Sequence, residues 1–120
     1  IRRSLTNLLR AAGWRPLQAR DGMEALELLE RAARPPDAII MDIEMPRMDG
    51  YELASTLRAR SEFERVPILM LTSRAGDKHR QKALRLGVDR YLIKPCPDEL
   101  LVAELRNSID SRRGDRLAAG

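Results

Sequence analysis

Asp37-Ala-Ile-Ile-Met-Asp-Ile-Glu-Met-Pro-Arg-Met-Asp-Gly-Tyr-Glu-Leu53 decides how the rest of this 120-residue chain is arranged. Residues Ala38 to Ile43 form a near-continuous apolar run with β-branched side chains, the pattern of a strand buried on both faces rather than one with a wet side. Asp42 interrupts it. A carboxylate at the end of a buried strand is paired, holds a metal or does chemistry, because its desolvation is otherwise costly. Met45-Pro46 cannot continue the strand, and Asp49-Gly50 offers an N-cap ahead of the apolar positions Leu53, Ala54 and Leu57. The segment is therefore strand, loop, helix. Asp42 falls at the carboxyl end of the strand, where open α/β sheets bind their ligands.

Upstream, Ile1, Leu5, Leu8, Leu9 and Ala12 recur at helical spacing and Gly13 supplies a C-cap. Trp14 to Arg20 is a short strand candidate, with Pro16 suiting an edge. Asp21 caps a second helix with Glu24 at the capping-box position; Ala25, Leu26, Leu29 and Ala32 mark its buried face, and it stops before Pro35-Pro36. Downstream, a helix to about Ala59 and a charged connection containing Phe63 lead to a strand, Pro67-Ile-Leu-Met-Leu-Thr-Ser73. A helix from Ala75 to Leu86, ending at Gly87, precedes another strand, Asp89-Arg-Tyr-Leu-Ile-Lys-Pro95. A last helix runs from about Asp98 to Asp110, with Leu101, Leu105 and Ile109 four apart, and Ser111 to Gly120 is polar and small. Alternating helices and strands predict a parallel sheet with helices on both faces.

The length suits one domain with an ordinary core. A single cysteine, Cys96, excludes an internal disulfide and supplies no metal-ligand cluster. No run approaches a membrane span, and Ile1-Arg2-Arg3 is not followed by a signal-peptide core, so no membrane association and a cytoplasmic location are expected. The net charge of +4 is spread along the helices rather than gathered in one tract. That describes a mildly basic surface suited to an acidic protein partner, with no direct nucleic-acid partner expected. His79, between Lys78 and Arg80, is expected to be exposed.

Asp42, Thr72 and Lys94 end the three apolar strands, 30 and 52 residues from the first to the others (72 − 42 and 94 − 42). On these motifs the chain resembles the response-regulator receiver domains of two-component signalling. The wording Asp42-Ile-Glu-Met-Pro-Arg-Met-Asp-Gly50 is most similar to receivers joined to chemotaxis-type hybrid histidine kinases. The resemblance implies a flavodoxin-like, doubly wound parallel sheet of order 2-1-3-4-5. The family's first strand, with an acidic pair at its tip, has no counterpart in this sequence. The expectation is thus a receiver domain over residues 1–112 lacking that strand, with 113–120 a C-terminal tail or linker, and a strand-exchanged homodimer as one way to complete the sheet.

The same resemblance implies that Asp42 is the phosphoacceptor, taking a phosphoryl group from the phosphohistidine of a histidine kinase or a histidine phosphotransfer domain. Lys94 and Thr72 assist, Pro95 is a candidate for a cis peptide bond that aims Lys94 inward, and Tyr91 is an aromatic switch. The output passes to a downstream protein partner through the fourth helix, last strand and last helix, with Arg80, Arg85 and Arg90 as decoration. Magnesium is the implied cofactor, held by Asp42 and the backbone carbonyl of Glu44, its affinity weakened without the acidic pair. Such a protein is a signalling domain rather than a turnover enzyme. Two rivals stand: an unphosphorylated receiver-like interaction module, and an aspartyl-nucleophile phosphatase, for which Glu44 occupies the place of the usual second aspartate.

Overall fold

A computed structural model describes the backbone of residues 2–119 and the side chains of residues 5–112. The elements are α1 (Arg2–Ala11), α2 (Gly22–Arg31), β1 (Ile39–Met41), α3 (Gly50–Arg58), a 3₁₀ turn (Ser61–Phe63), β2 (Ile68–Thr72), α4 (Asp77–Arg85), β3 (Arg90–Ile93) and α5 (Asp98–Ala119). The strands form one parallel sheet in the order β1-β2-β3, with Ile39 opposite Ile68, Met41 opposite Met70 and Thr72 opposite Ile93. Parallel pairing in this register brings the carboxyl ends of all three strands to one edge of the sheet.

Alternation along β2 sends side chains to two cores. Ile68 and Met70 join Leu26, Met41, Leu53, Leu57, Ala83 and Val88, so α2, α3 and α4 cover one face. Leu69 joins Leu105 and Ile109, with Leu9, Trp14, Ile40 and Leu92 packed around them, so α1 and α5 cover the other. This is the two-sided α/β arrangement expected.

Several local expectations need correction. Trp14 to Arg20 is not a strand among the described residues; it carries the chain from α1 on one face to α2 on the other, Leu17 is 85% exposed, and no strand lies beside it to share a ladder. β1 is only three residues long, and Ile39 and Ile40 are half-buried rather than sealed on both faces, because β2 is its one partner in the sheet. In α2 the Asp21 carboxylate accepts from the Glu24 N–H at 2.9 Å, as an N-cap should. The reciprocal bond is displaced by one residue: Glu24 accepts from the backbone N–H of Arg20 at 3.0 Å. Ala32 is exposed, since the chain has already left the helix there for an extended C-cap.

α5 does not stop near Asp110. Its backbone stays helical to Ala119, because no proline follows and a single glycine, Gly114, costs only about 1 kcal/mol in a helix interior. The side chains that would define residues 113–120 as tail or linker lie outside the described residues, as does Ile1. Within the described part, Arg112 reaches back to the amino end of β3. Its Nε and Nη2 donate to one oxygen of Asp89 at 2.9 and 2.6 Å. The other Asp89 oxygen accepts from the Ile68 N–H at 2.8 Å and from Arg58 Nη2 at 2.9 Å. Asp89 thus ties α3, β2 and α5 together at the end of the sheet remote from Asp42.

Candidate functional site

Three side chains at the carboxyl edge of the sheet form the site. Asp42 follows β1 directly, and Lys94 follows β3, positioned by its own N–H, which donates to the Thr72 carbonyl at 2.8 Å. Lys94 Nζ donates to Asp42 Oδ2 at 2.8 Å. Both side chains are about one-third exposed, at 29% and 33%. Thr72 closes β2 and is fully buried; its Oγ1 accepts from the Arg74 N–H at 3.2 Å. The Lys94–Pro95 peptide bond is cis.

Burial raises the Asp42 pKa and is the largest single influence on it. The Lys94 ammonium, the Glu44 N–H at 3.3 Å from Oδ1 and the Thr72 hydroxyl together outweigh it, and the carboxyl sits below its ordinary value. Asp42 is therefore an anion held beside one cation and two neutral donors, open to solvent on one side. That is the geometry of a nucleophile whose incoming negative charge is already provided for.

The loop after β1 is fixed from two sides. Gly50 N–H donates to the Ile43 carbonyl at 2.8 Å, and a Cβ at Gly50 would collide with the Asp42 carbonyl oxygen and come within 2.9 Å of the Ile43 Cα. The glycine therefore lets the first turn of α3 rest against the backbone that carries Asp42. On the other side Arg47 holds φ at +66°, a region that residues other than glycine seldom enter. Its guanidinium makes a two-pronged bond to Asp21, 3.0 Å on each prong, and this pairing holds the Asp21 carboxyl below its usual range.

Tyr91 does not simply leave its hydroxyl in water. The group donates to the Arg74 carbonyl at 2.6 Å, linking β3 to the residue two beyond Thr72, and burial pushes its pKa up. The Glu44 side chain pairs with Arg74 at 3.4 Å rather than turning toward Asp42. Arg90 pairs with Glu104 at 2.9 Å, while Arg80 and Arg85 are exposed. His79 is half-buried, not exposed as expected, with Nδ1 3.2 Å from the Tyr51 hydroxyl. Arg47, Arg74 and Tyr51 are the neighbours that motif reading missed, and Gly50 and His79, which it named for other reasons, take the close-approach and Tyr51-bonding places described above.

The described residues contain no group of three or more His, Cys, Asp or Glu side chains able to hold a metal ion. Asp42, the one acidic side chain brought to the strand ends, is paired with Lys94, and Glu44 with Arg74. By themselves these side chains do not complete the shell of a divalent cation that prefers six oxygens.

A family model described as the response regulator receiver domain matches residues 1–106. Among curated proteins, the chain is 39% identical over 84% of its length to the sensor histidine kinase CheAY of Helicobacter pylori, of which it spans 13%. It is 41% identical over 88% of its length to the response regulator MprA of Mycobacterium sp. (strain KMS), spanning 44% of that protein. Among solved structures, the receiver domain of a sensor histidine kinase from Pseudomonas aeruginosa, with a magnesium ion in its active-site cleft, superposes with a TM-score of 0.81 at 34% identity. That match covers 91% of this chain and 88% of the other.

Proposed function

Because this chain belongs to the response regulator receiver domain family, we propose that Asp42 accepts a phosphoryl group from the phosphohistidine of a histidine kinase or histidine phosphotransfer domain. The observation that carries this reading is the 2.8 Å contact between the Lys94 ammonium and the Asp42 carboxylate, at the meeting point of three parallel strand ends.

An Asp42 oxygen attacks phosphorus, the bond from phosphorus to the imidazole nitrogen breaks, and the imidazole leaves with that electron pair and takes up a proton. Negative charge spreads over the three equatorial phosphoryl oxygens as this happens. Lys94, already within hydrogen-bonding distance of the nucleophile, shifts its contact from the carboxylate to those oxygens, and the Thr72 hydroxyl donates to another. The lowered pKa of Asp42 keeps the nucleophile ionised across the neutral range. The bond from the Tyr91 hydroxyl to the Arg74 carbonyl lets movement at Thr72 reach the face built from α4, β3 and α5, where a downstream protein reads the state.

The domain works in the cytoplasm as a signalling module, not as a turnover enzyme; no described helix is long and apolar enough to cross a membrane. The Pseudomonas neighbour binds magnesium in its cleft, and the same ion is the implied aid here, for which Asp42 and the Glu44 carbonyl are the ligands this stretch would supply.

Intact mass spectrometry before and after incubation with acetyl phosphate and magnesium tests the proposal. A phosphoryl adduct that disappears in Asp42→Asn supports it. An unmodified mass, or an adduct that survives the substitution, refutes it in favour of an interaction module without phosphorylation.

A further inference from the structure

We propose that Asp21, the N-cap of α2, is a positioning residue for phosphoryl transfer, because its bond to Arg47 holds the loop after β1 in a strained turn on which the aim of Asp42 depends. The inference rests on the reading of Asp42 as the phosphoacceptor.

The strain lies in a three-residue turn. Across Arg47, the Met48 N–H donates to the Pro46 carbonyl at 2.7 Å, and Arg47 has the one positive φ, +66°, outside glycine among the described residues. A γ-turn of this hand is rare, and a strained residue persists only where its surroundings over-determine it. Here both restraints come from the start of α2. Asp21 accepts from Arg47 Nε and Nη2 at 3.0 Å each. One position on, a Cβ at Gly22 would collide with the Met48 carbonyl oxygen and come within 2.8 Å of the Met48 Cβ, so only glycine lets the helix start lie this close to the turn. The anchor is itself fixed, since the Asp21 side chain is 11% exposed and also accepts from the Glu24 N–H at 2.9 Å.

The turn belongs to a loop gathered at one atom. The Ile43 carbonyl accepts from the Met45 N–H at 3.1 Å and from the Gly50 N–H at 2.8 Å. Glu44, enclosed by the first of these bonds, donates its own N–H to Asp42 Oδ1 at 3.3 Å. With both ends of the loop tied to Ile43, a change of φ at Arg47 has little slack to absorb it and is passed to Glu44 and its bond to Asp42. Arg47 is 55% exposed, and an exposed ion pair contributes little to stability on average. The pair therefore acts on the shape of the loop more than on the stability of the fold.

Arg47→Ala and Arg47→Gly lose the same ion pair and differ in how readily they hold a positive φ, so the two together provide the test. The rate of acetyl phosphate adduct formation with magnesium is read by intact mass, and the amide shifts of Ile43, Glu44 and Met45 in the ¹⁵N-labelled chain read the loop without any phosphoryl chemistry. Arg47→Ala should slow the adduct at least about fivefold and displace those amides. Asp21→Ser, which keeps an N-cap for α2 but not the two-pronged acceptor, should do the same. Arg47→Gly, alone or combined with Asp21→Ser, should restore the rate to within about twofold of native and return the amides toward their native positions. Glu30→Gln, which breaks the ion pair with Arg60 at the other end of α2, should change neither reading. Equal losses in the alanine and glycine variants, native behaviour of Asp21→Ser, or no rescue of Asp21→Ser by Arg47→Gly would overturn the proposal. A native chain that forms no adduct refutes the phosphoacceptor reading instead, and the amide pattern then decides whether Asp21 holds the loop.

Discussion

Replacing Asp89 with alanine should be among the most destabilising single changes this domain can suffer, although the residue is remote from Asp42. The carboxylate accepts four hydrogen bonds: from the Ile68 N–H, from Arg58 Nη2 and from two nitrogens of Arg112. The Asp89 and Arg58 side chains are only 15% and 14% exposed, and Arg112 is 24% exposed. Burial already pulls the Arg58 pKa below its ordinary value, against the pull of Asp89, so the guanidinium is expensive to leave alone. Removing one partner of a buried pair costs about 3–5 kcal/mol. The partial exposure of Arg112 moves the figure down, and the orphaned Ile68 N–H moves it up by about 1–3 kcal/mol. A loss of about 3–5 kcal/mol is the expectation, against a total stability of about 5–15 kcal/mol for a domain of this kind. With a urea slope of about 1–3 kcal/mol per molar, the unfolding midpoint should fall by at least about 1 M. Asp89→Asn keeps one carbonyl oxygen for Ile68 and Arg58 but loses the charge and turns the acceptor facing Arg112 into a donor, so it should fall between native and alanine. An alanine variant whose midpoint lies within about 0.5 M of native would refute the reasoning, as would asparagine and alanine variants that unfold together.

Two further outcomes follow from the site. Gly50→Ala forces a Cβ against the Asp42 and Ile43 backbone, which cannot rotate away as a side chain would, so it should cost about 1–3 kcal/mol and sharply reduce the acetyl phosphate adduct; native stability with full adduct in the mass spectrum would show that this contact does not hold the loop. Lys94→Met should raise the Asp42 carboxyl toward its ordinary 3.8 and lower stability at neutral pH, because a depressed carboxylate stabilises the fold above its unfolded pKa and stops doing so as pH falls through the folded value. Urea midpoints of the two proteins should therefore converge below 3.8, and a gap that persists unchanged at low pH would contradict the assigned role of Lys94.

The strand ends were legible in the sequence because they combine two independent signals, an apolar run and a polar residue where it stops. Asp42, Thr72 and Lys94 all carry both, and the structure brings them to one edge. Trp14 to Arg20 misled because its composition suits a strand, while a strand exists only where a neighbour supplies the other half of the ladder. The end of α5 was missed for the opposite reason: its apolar period stops at Ile109, but a helix that nothing terminates continues on propensity. The supports of the loop after β1 were hidden for a third reason. Arg47 at positive φ, its bond to Asp21 26 positions away and the close approach at Gly50 are tertiary events that leave no local pattern. His79 looked solvated because charged neighbours flank it in sequence, yet a partner on α3 half-covers it.

The order of the strands in the sheet is also their order along the chain, and this bears on how the molecule reaches its native state. Ile39 meets Ile68 and Leu69 meets Arg90, closures of 29 and 21 residues (68 − 39 and 90 − 69), each spanned by its own helix. Short closures cost little chain entropy, so the unit from β1 to β3 is the natural nucleus. Asp42 and Lys94 stand 52 positions apart and meet only when both closures are complete. A chain arrested after either closure would have a compact βαβ unit and no contact between Asp42 and Lys94, so any chemistry that needs the pair should appear at the same rate as the last strand joins and not before.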